Sequence, residues 1–505
     1  CTNTSMAPTT KDLPVDGASV TSFDRFGDSR GYFNELYNEA KYDVKPVAAT
    51  HLGEEPGPGA WKQVSFSSSG KHALRGLHCS PYGKFITCVR GSFYDVIADF
   101  REDSPTFGRW CGILLTEHNK KQVYVPAKCG HGFFTFEDNT CALYLQEGTF
   151  NPPNEQDTHP FDPLVNVAWP LPEGVVPTLS PKDTVAPTLA VRRPHLANVV
   201  PRGRILVVGA SGQVGAAILE AFGERNCIGT YSGTPVKGMM HFDLAAAAMN
   251  PQLAEDLVQT VYPTVVCICA GMTWVDGCER DHALANKMNN AGPAILAAAA
   301  RKYGARTVWY STDYVFDGGV KAPKKGPYSE ADPTSPLNVY GSSKLAGEAA
   351  VAAADPAALV IRTNVVFGPE GVGKNFVYQL VRKLRAGESM NVPLDQVNTP
   401  TYNRDLADAT KHLIEVGASG LFNVGGPDVL GRAAFADVIA DAMGLDKRGI
   451  KPVTTSNAGQ AALRPLDSGL TLDKTLATIP GWKPRSVADA LADWAANPRG
   501  KPLGQ

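Results

Sequence analysis

Near residue 204 the hydrophobic pattern of this 505-residue chain changes period, and that change constrains the fold more than any other feature. Before it, apolar residues come in short runs such as KFITCV (84–89), SFYDVIADF (92–100) and KQVYVPA (121–127), set apart by Gly, Pro, Asn and Asp. Short runs at short intervals predict an antiparallel sandwich or barrel. After it, RILVV (204–208) leads into a glycine-rich turn, followed by Ala-rich stretches such as AGPAILAAAARKYGA (291–305). Strands alternating with long helical patterns predict a parallel, doubly wound sheet. Residues 181–203 carry four prolines and little periodicity and read as a linker. The expected domains are 12–190, all-β, and 204–500, α/β, with 191–203 joining them.

Composition excludes more than it names. With 48 basic and 50 acidic residues the formal charge is -2, which gives no reason to expect nucleic acid as a partner. No apolar run approaches the roughly 18 residues needed to cross a bilayer. Ten cysteines are scattered without a Cys-x-x-Cys pair, so reduced, buried thiols and a cytoplasmic location are expected. The opening CTNTSMAPTT lacks a signal pattern, and Cys1 reads as a remnant ahead of a natural start at Met6.

The turn Gly209-Ala-Ser-Gly212-Gln-Val-Gly215 sits between an apolar strand and an Ala-rich helix. That context suits dinucleotide binding: Gly209 permits the tight turn, Gly212 lets the backbone approach a pyrophosphate, and Gly215 lets helix and strand pack closely. Gln213 and Val214 belong to the same cofactor-binding turn. The second strand, CIGTYSGTPVKG (227–238), ends without an acid and carries Lys237, so NADP(H) is expected over NAD(H). Tyr340 and Lys344 are spaced i, i+4, on one face of a helix. An ammonium there would lower the tyrosine pKa towards that of a working proton donor. WYSTDYVFDG (309–318) adds Ser311 and Thr312, where a hydroxyl could bond a substrate carbonyl beside Tyr340.

With STDYVFDG, YGSSKLAGE (340–348), GKNFVYQLVRKL (373–384) and DQVNTPTYNRDLADA (395–409), the chain over 204–490 resembles dTDP-4-dehydrorhamnose reductase, an extended short-chain dehydrogenase. The resemblance implies a Rossmann fold with a small substrate-binding subdomain and Thr312, Tyr340 and Lys344 as catalytic trio. It also implies Asp243 and Leu244 near the adenine, and Ala270 and Gly271 along the cofactor. Val365, in RTNVVFG (362–368), departs from a tryptophan common in that family.

The N-terminal half offers groups for inverting a carbon beside a ketone, which needs a base, an acid on the other face and a cation for the enolate oxygen. ALRGLHCSPYGK (73–84) brings Arg75, His78 and Lys84 close in sequence, CALYLQEGTF (141–150) presents Tyr144, and LSPKD (179–183) supplies Asp183 as a partner for His78. His-x-His metal spacing is absent, since His72 lies six residues before His78, so no metal is expected.

With DSRGYF (28–33), LRGLH (74–78), DSPTFGRW (103–110), GHGFFTFED (130–138), DPLVNVAWP (162–170) and LSPKD, residues 20–190 resemble dTDP-4-dehydrorhamnose 3,5-epimerase. That implies a jelly-roll, cupin-like fold and a homodimer through this domain. It implies His78 as base, Tyr144 as acid, Lys84 at the enolate oxygen and Asp183 behind His78. It places Arg30, Glu35, Gln63, Arg75 and His131 around a dTDP-sugar, although His131 also reads as a satisfied core histidine. Departures are Val64-Ser65 for a common Asp-Asn, and Phe150 for a second tyrosine.

The two activities are consecutive. The expected reaction is conversion of dTDP-4-dehydro-6-deoxy-D-glucose to dTDP-L-rhamnose by epimerisation and then NAD(P)H-dependent reduction at C4. Three alternatives stay open: the same chemistry on a UDP-sugar or towards a 6-deoxy-talose, a reductase with an inactive sugar-nucleotide-binding cupin domain, and a regulatory rather than catalytic C-terminal half.

Overall fold

The computed structural model describes residues 9–23, 25–28, 31–37, 61–194, 204–223 and 226–498. It divides into two compact units, Cys1–Arg204 with Gln259–Tyr262, and Ile205–Val258 with Pro263–Gln505. Among the described residues no helix is long and apolar enough to cross a membrane.

Ten strands of the first unit build two antiparallel sheets. They are β1 (Thr9–Asp12), β2 (Ser19–Ser22), β5 (Gln63–Ser69), β6 (Leu74–Cys79), β7 (Lys84–Arg90), β8 (Ser92–Asp99), β9 (Trp110–Thr116), β10 (Lys121–Val125), β11 (Cys129–Thr135) and β12 (Thr140–Gln146). β3 (Arg25–Asp28) and β4 (Gly31–Asn34) pair with each other. The six-stranded sheet runs β1-β2-β10-β7-β12-β5 and the four-stranded sheet β6-β11-β8-β9. Ile86, Phe93, Ile97, Val123 and Phe133 fill one core, while Tyr94 and Val96 face a second with Phe134, Val165, Trp169 and Leu189. Buried on both faces, β8 does not alternate apolar with polar residues, and it carries Asp95 within its apolar run.

The stretch read as linker begins as packed structure. α1 (Pro181–Thr184) and α2 (Leu189–Arg192) are single turns, too short to show a helical period. Leu189 is buried, and its N–H donates to Asp162 Oδ2 at 2.5 Å. Residues 195–203 lie outside the described residues.

The second unit carries a seven-stranded parallel sheet. Its strands are β13 (Ile205–Val208), β14 (Cys227–Tyr231), β15 (Met240–His241), β16 (Val265–Ile268), β17 (Arg306–Thr312), β18 (Leu359–Thr363) and an edge strand, Gly420–Asn423. The order β15-β14-β13-β16-β17-β18-edge reverses direction between β13 and β16, the switch point where such sheets bind ligands beyond their carboxyl ends. The helices up to the candidate site are α3 (Gln213–Phe222), α4 (Leu244–Met249), α5 (Gln252–Val261), α6 (Val275–Arg280), α7 (His282–Asn286), α8 (Gly292–Lys302) and α9 (Val339–Ala354). Helices Phe376–Arg385, Arg432–Ala442 and Val487–Ala496 enclose a separate core around Tyr378, Phe435 and Trp494. Eight of the nine described cysteines are buried, and no two of the nine are joined to each other.

Candidate active sites

In the first unit a cavity of about 290 Å³ opens between the sheets, lined by Gln63, Arg75, His78, Lys84, His131 and Tyr144 among others. His78 on β6 and His131 on β11 are register partners in the four-stranded sheet, whereas Lys84 and Tyr144 come from β7 and β12 of the six-stranded sheet. Base and acid candidates therefore belong to opposite sheets. Gly76 permits the close approach of β6 to β11 within the four-stranded sheet: its φ is +118°, and a Cβ there would stand 2.6 Å from Gly132 Cα and from the His131 carbonyl oxygen.

His78 Nε2 lies 2.8 Å from Asp183 Oδ1, and Asp183 is buried on α1, where its N–H donates to the Ser180 hydroxyl. Burial alone would raise the Asp183 carboxyl, but bonds from His78, Ser180 and the Gly76 N–H hold it below the usual range. A second pair, His131 Nε2 with Asp95 Oδ1 at 2.8 Å, is buried; desolvation lowers the His131 pKa against the pull of Asp95. His131 is a buried histidine that also lines the cavity. Burial pushes Tyr144 up to about 12, and its hydroxyl shares a 3.2 Å hydrogen bond with Ser67. Burial also lowers Lys84, opposed mainly by Glu155.

Arg75 is exposed, its Nε donating to Ser69 Oγ at 2.9 Å. Glu35 is half-buried and not among the cavity-lining residues, and Arg30 lies outside the described residues. Sequence reasoning missed Ser80, Tyr82, Gln146, Glu155 and Lys182, which line the same cavity. The position of Tyr82 between His78 and Lys84 was the available signal. Among the described residues no group of three or more His, Cys, Asp or Glu side chains is placed to hold a metal ion.

In the second unit Gly209 has φ +83°, and a Cβ there would stand 2.8 Å from the Ala270 nitrogen; one on Gly215 would stand 2.3 Å from the Gly209 oxygen. Any side chain would close this turn. Gly212 caps α3 without a side-chain bond, so the first-turn N–H groups are presented to whatever lies ahead of the helix. Gln213 Nε2 is buried with no partner among the described residues, and Val214 packs on the core. Asp243 caps α4 by accepting from the Ala245 and Ala246 N–H groups, and Leu244 is buried.

Thr312 ends β17 near the Tyr340 hydroxyl, its own hydroxyl donating to Asp313 Oδ1 at 3.1 Å, while Asn338 caps α9 and so fixes the first turn that carries Tyr340. The expected lowering of Tyr340 by Lys344 is not what dominates: burial raises the phenol, and Thr312 only partly offsets this. Lys344 Nζ donates to the Tyr310 carbonyl at 2.9 Å, and desolvation lowers its pKa to about 8. A Cβ on Gly271 would stand 3.2 Å from Lys344 Nζ, which brings the loop after β16 to the catalytic helix. Ser311 is committed elsewhere, donating at 2.6 Å to Glu348, which Arg362 grips through two nitrogens. Val365, on the stretch after β18, has φ +41°, an uncommon conformation for a β-branched residue. Asn289 was missed. It sits in a π-turn, Lys287–Ala291, exchanges hydrogen bonds with the Met272 backbone and donates to Ser343, joining the cofactor loop to α9. A π-turn leaves no mark in hydrophobic periodicity.

Residues 12–191 match the family model for dTDP-4-dehydrorhamnose 3,5-epimerase, and 203–498 match that of the RmlD substrate binding domain. A dTDP-4-dehydrorhamnose reductase from Mycobacterium tuberculosis is 36% identical over 272 residues, 53% of this chain and 84% of the relative. A dTDP-4-dehydrorhamnose 3,5-epimerase from the same organism is 36% identical over 182 residues, 35% of this chain and 86% of the relative. The chain belongs to both families. It joins an epimerase and a reductase, an isomerase and an oxidoreductase, in one polypeptide. The reductase part is also similar to the crystal structure of dTDP-4-dehydrorhamnose reductase from Bacillus anthracis in complex with NADP, with TM-score 0.52 and 29% identity, covering 58% of this chain and 99% of that one.

Proposed function

We propose that this bifunctional enzyme converts dTDP-4-dehydro-6-deoxy-D-glucose to dTDP-L-rhamnose, inverting C3 and C5 in the first unit and reducing C4 in the second. The observation that carries the reading is that each unit holds a complete set of reacting groups: His78–Asp183 with Lys84 and Tyr144, and Thr312 with Tyr340 and Lys344.

In the epimerase part, donation of Nε2–H to Asp183 leaves the Nδ1 lone pair of His78 to accept the proton beside the ketone. The Lys84 ammonium stabilises the developing enolate oxygen. Tyr144, from the opposite sheet, returns a proton to the other face. Gln63, Arg75 and His131 line the substrate cavity in this reading, with Arg75 towards the diphosphate, and Arg30 and Glu35 complete the nucleotide-sugar site. No metal enters this reading, since a base, an acid and a cation suffice for the inversion. Two facing antiparallel sheets support a jelly roll, and domains bounded at 12–190 and 204–500 with a 191–203 linker fit the matched ranges. The edge strand β5 exposes Val64 (66%) and Phe66 (60%), which favours a homodimer through this domain.

In the reductase part the cradle of Gly209, Gly212 and Gly215, the uncapped end of α3 and the unpartnered Gln213 amide fit a dinucleotide diphosphate, with Val214, Asp243, Leu244, Ala270 and Gly271 beside it. NADP(H), when bound, supplies the hydride. Tyr340 donates the proton to the new alkoxide, Thr312 orders the phenol and the carbonyl, and the Lys344 ammonium keeps that proton transfer downhill. NADPH is used at least as well as NADH, since residues 227–238 hold no carboxylate; exposed Lys237 adds about fivefold at most. Enolisation is reversible, and reduction removes the acidifying ketone and so traps the product. Unpaired, buried thiols fit a cytoplasmic setting, with no nucleic acid or membrane as partner.

The test is incubation with the 4-keto sugar nucleotide and NADPH, with NMR of the product. A rhamnose-configured sugar supports the reading; a product unchanged at C3 and C5 overturns the epimerase half.

A further inference from the structure

Eight groups along the epimerase cavity form one hydrogen-bonded chain whose donors all point the same way. Lys84 Nζ donates to Ser80 Oγ at 3.3 Å, and Ser80 Oγ donates to Glu155 Oε2 at 2.8 Å. From the other side the Phe150 N–H and the Gln63 amide lead inward: Phe150 donates to Gln63 at 2.8 Å, Gln63 to Ser65 at 2.8 Å, and Ser65 to Gln146 at 2.8 Å. Gln146 then donates to Tyr82 at 3.0 Å, and Tyr82 donates to Glu155 Oε1 at 3.2 Å. Both arms end on one carboxylate. An ammonium has only protons to give, so Ser80 accepts from Lys84 and gives its own single proton to Glu155. The carboxylate of Glu155 is thus the acceptor at which the hydroxyl protons of Ser80 and Tyr82 both end.

The other groups around Lys84 are engaged elsewhere or neutral. Asp157 pairs with Lys182 at 2.6 Å, Asp95 is bonded to His131 at 2.8 Å, and Cys79 is a buried thiol pushed up to about 11 by desolvation. Among the described residues no cation bonds Glu155 directly; its two oxygens meet the neutral hydroxyls of Ser80 and Tyr82. Through Ser80 it is the carboxylate joined to the buried Lys84 ammonium, and a buried charge without a counter-ion would shed its proton.

We propose that Glu155 is a positioning residue of the epimerase, acting through Ser80 to keep Lys84 an oriented ammonium ready for the enolate oxygen. This rests on the reading of Lys84 as the group at that oxygen. Burial lowers Lys84, and Glu155 is the strongest influence in the opposite direction, which agrees with the geometry. Tyr82 donates to the same carboxylate from the cavity side and is held in place by Gln146.

The test measures deuterium incorporation at C3 and C5 of the 4-keto sugar nucleotide in D2O across pH 6 to 10, using the full chain and the variants Glu155→Gln, Ser80→Ala and Lys84→Met. In Glu155→Gln the alkaline limb should move at least one pH unit lower, so that exchange at pH 9 falls about tenfold while exchange at pH 6 stays within about threefold of the parent. Ser80→Ala, a milder change should Glu155→Gln not fold, should move the limb the same way. Glu155→Asp should recover most of the parental profile. A limb unmoved in both Glu155→Gln and Ser80→Ala, with Lys84→Met inactive, overturns this proposal alone. Parental exchange by Lys84→Met overturns the reading of Lys84 beneath it.

Discussion

His78 Nε2 and Asp183 Oδ1 stand 2.8 Å apart although 105 residues of chain separate them. The contact forms because the one-turn helix α1 returns to the four-stranded sheet and aims a buried carboxylate at β6. His78→Ala should reduce solvent deuterium exchange at C3 and C5 by about 10²–10⁴, the usual worth of a general base. Asp183→Asn, which keeps the shape but loses the charge, should lower turnover more than substrate affinity. Parental exchange in His78→Ala would show that another group removes the proton.

Tyr340→Phe should stop NADPH oxidation and leave epimerisation within about twofold of the parent, because the two reacting sets belong to separate compact units. Exchange and NADPH oxidation are read on the same preparation. Loss of both activities together would sink the assignment of Tyr340 to reduction alone.

Reduction should weaken as pH rises through about 8, where buried Lys344 loses its proton. Below that value the ammonium is present; above it the neutral amine no longer favours the phenolate left by proton donation. Lys344→Arg, slower at every pH because a planar guanidinium does not fit a point-charge site, should lack that limb. An identical limb in the variant would assign it to another group.

Asp313 shows a stability effect of the opposite kind to an acid held by a cation. Desolvation raises its carboxyl from 3.8 to about 6 despite bonds from Ser468 and Thr312. The folded state then binds the extra proton between those values, so stability falls as pH rises from about 4 to 6 and levels off above that. A shift of this size corresponds to about 3 kcal/mol at most. Asp313→Asn removes the dependence, so its melting temperature should gain on the parent between pH 5 and 7.5, by the equivalent of about 1 kcal/mol. A constant difference between the two pH values would show that Asp313 does not titrate in this way.

Phe66→Asp should shift the sedimentation coefficient towards a monomer, since Phe66 and Val64 stand more than half exposed on the edge strand β5. The opposite face of that strand carries Gln63 and Ser65 into the cavity, so a fall in epimerase turnover with dissociation would connect assembly to catalysis. An unchanged oligomeric state would place any interface elsewhere.

Where each architecture begins was legible because such patterning is local: short apolar runs split by Gly, Pro, Asn and Asp before residue 204, and long Ala-rich helical stretches after it, are read from a few neighbouring residues. The glycine turn at 209–215 was equally legible, since a missing Cβ is a property of the residue wherever it sits. The identities of His78, Lys84, Tyr144, Thr312, Tyr340 and Lys344 stood in short motifs, and the structure places the first three in one cavity and the others around the end of β17 and the start of α9. Partnership was another matter. Ser311 and Thr312 are neighbours in sequence, yet alternation along β17 sends one hydroxyl to Glu348 and the other to Asp313, beside Tyr340.

Local sequence thus determined period, turn and chemical type, which depend on a residue and its few neighbours. Tertiary structure alone decided which charges meet. Asp183 was named for His78 from its motif, but that the two meet at 2.8 Å, and that Glu155 ends a chain of donors reaching Lys84, lay outside any local pattern. Desolvation decided the pKa directions as well: the nearby lysine argued for a lowered Tyr340, but burial is a property of the whole fold and outweighs it.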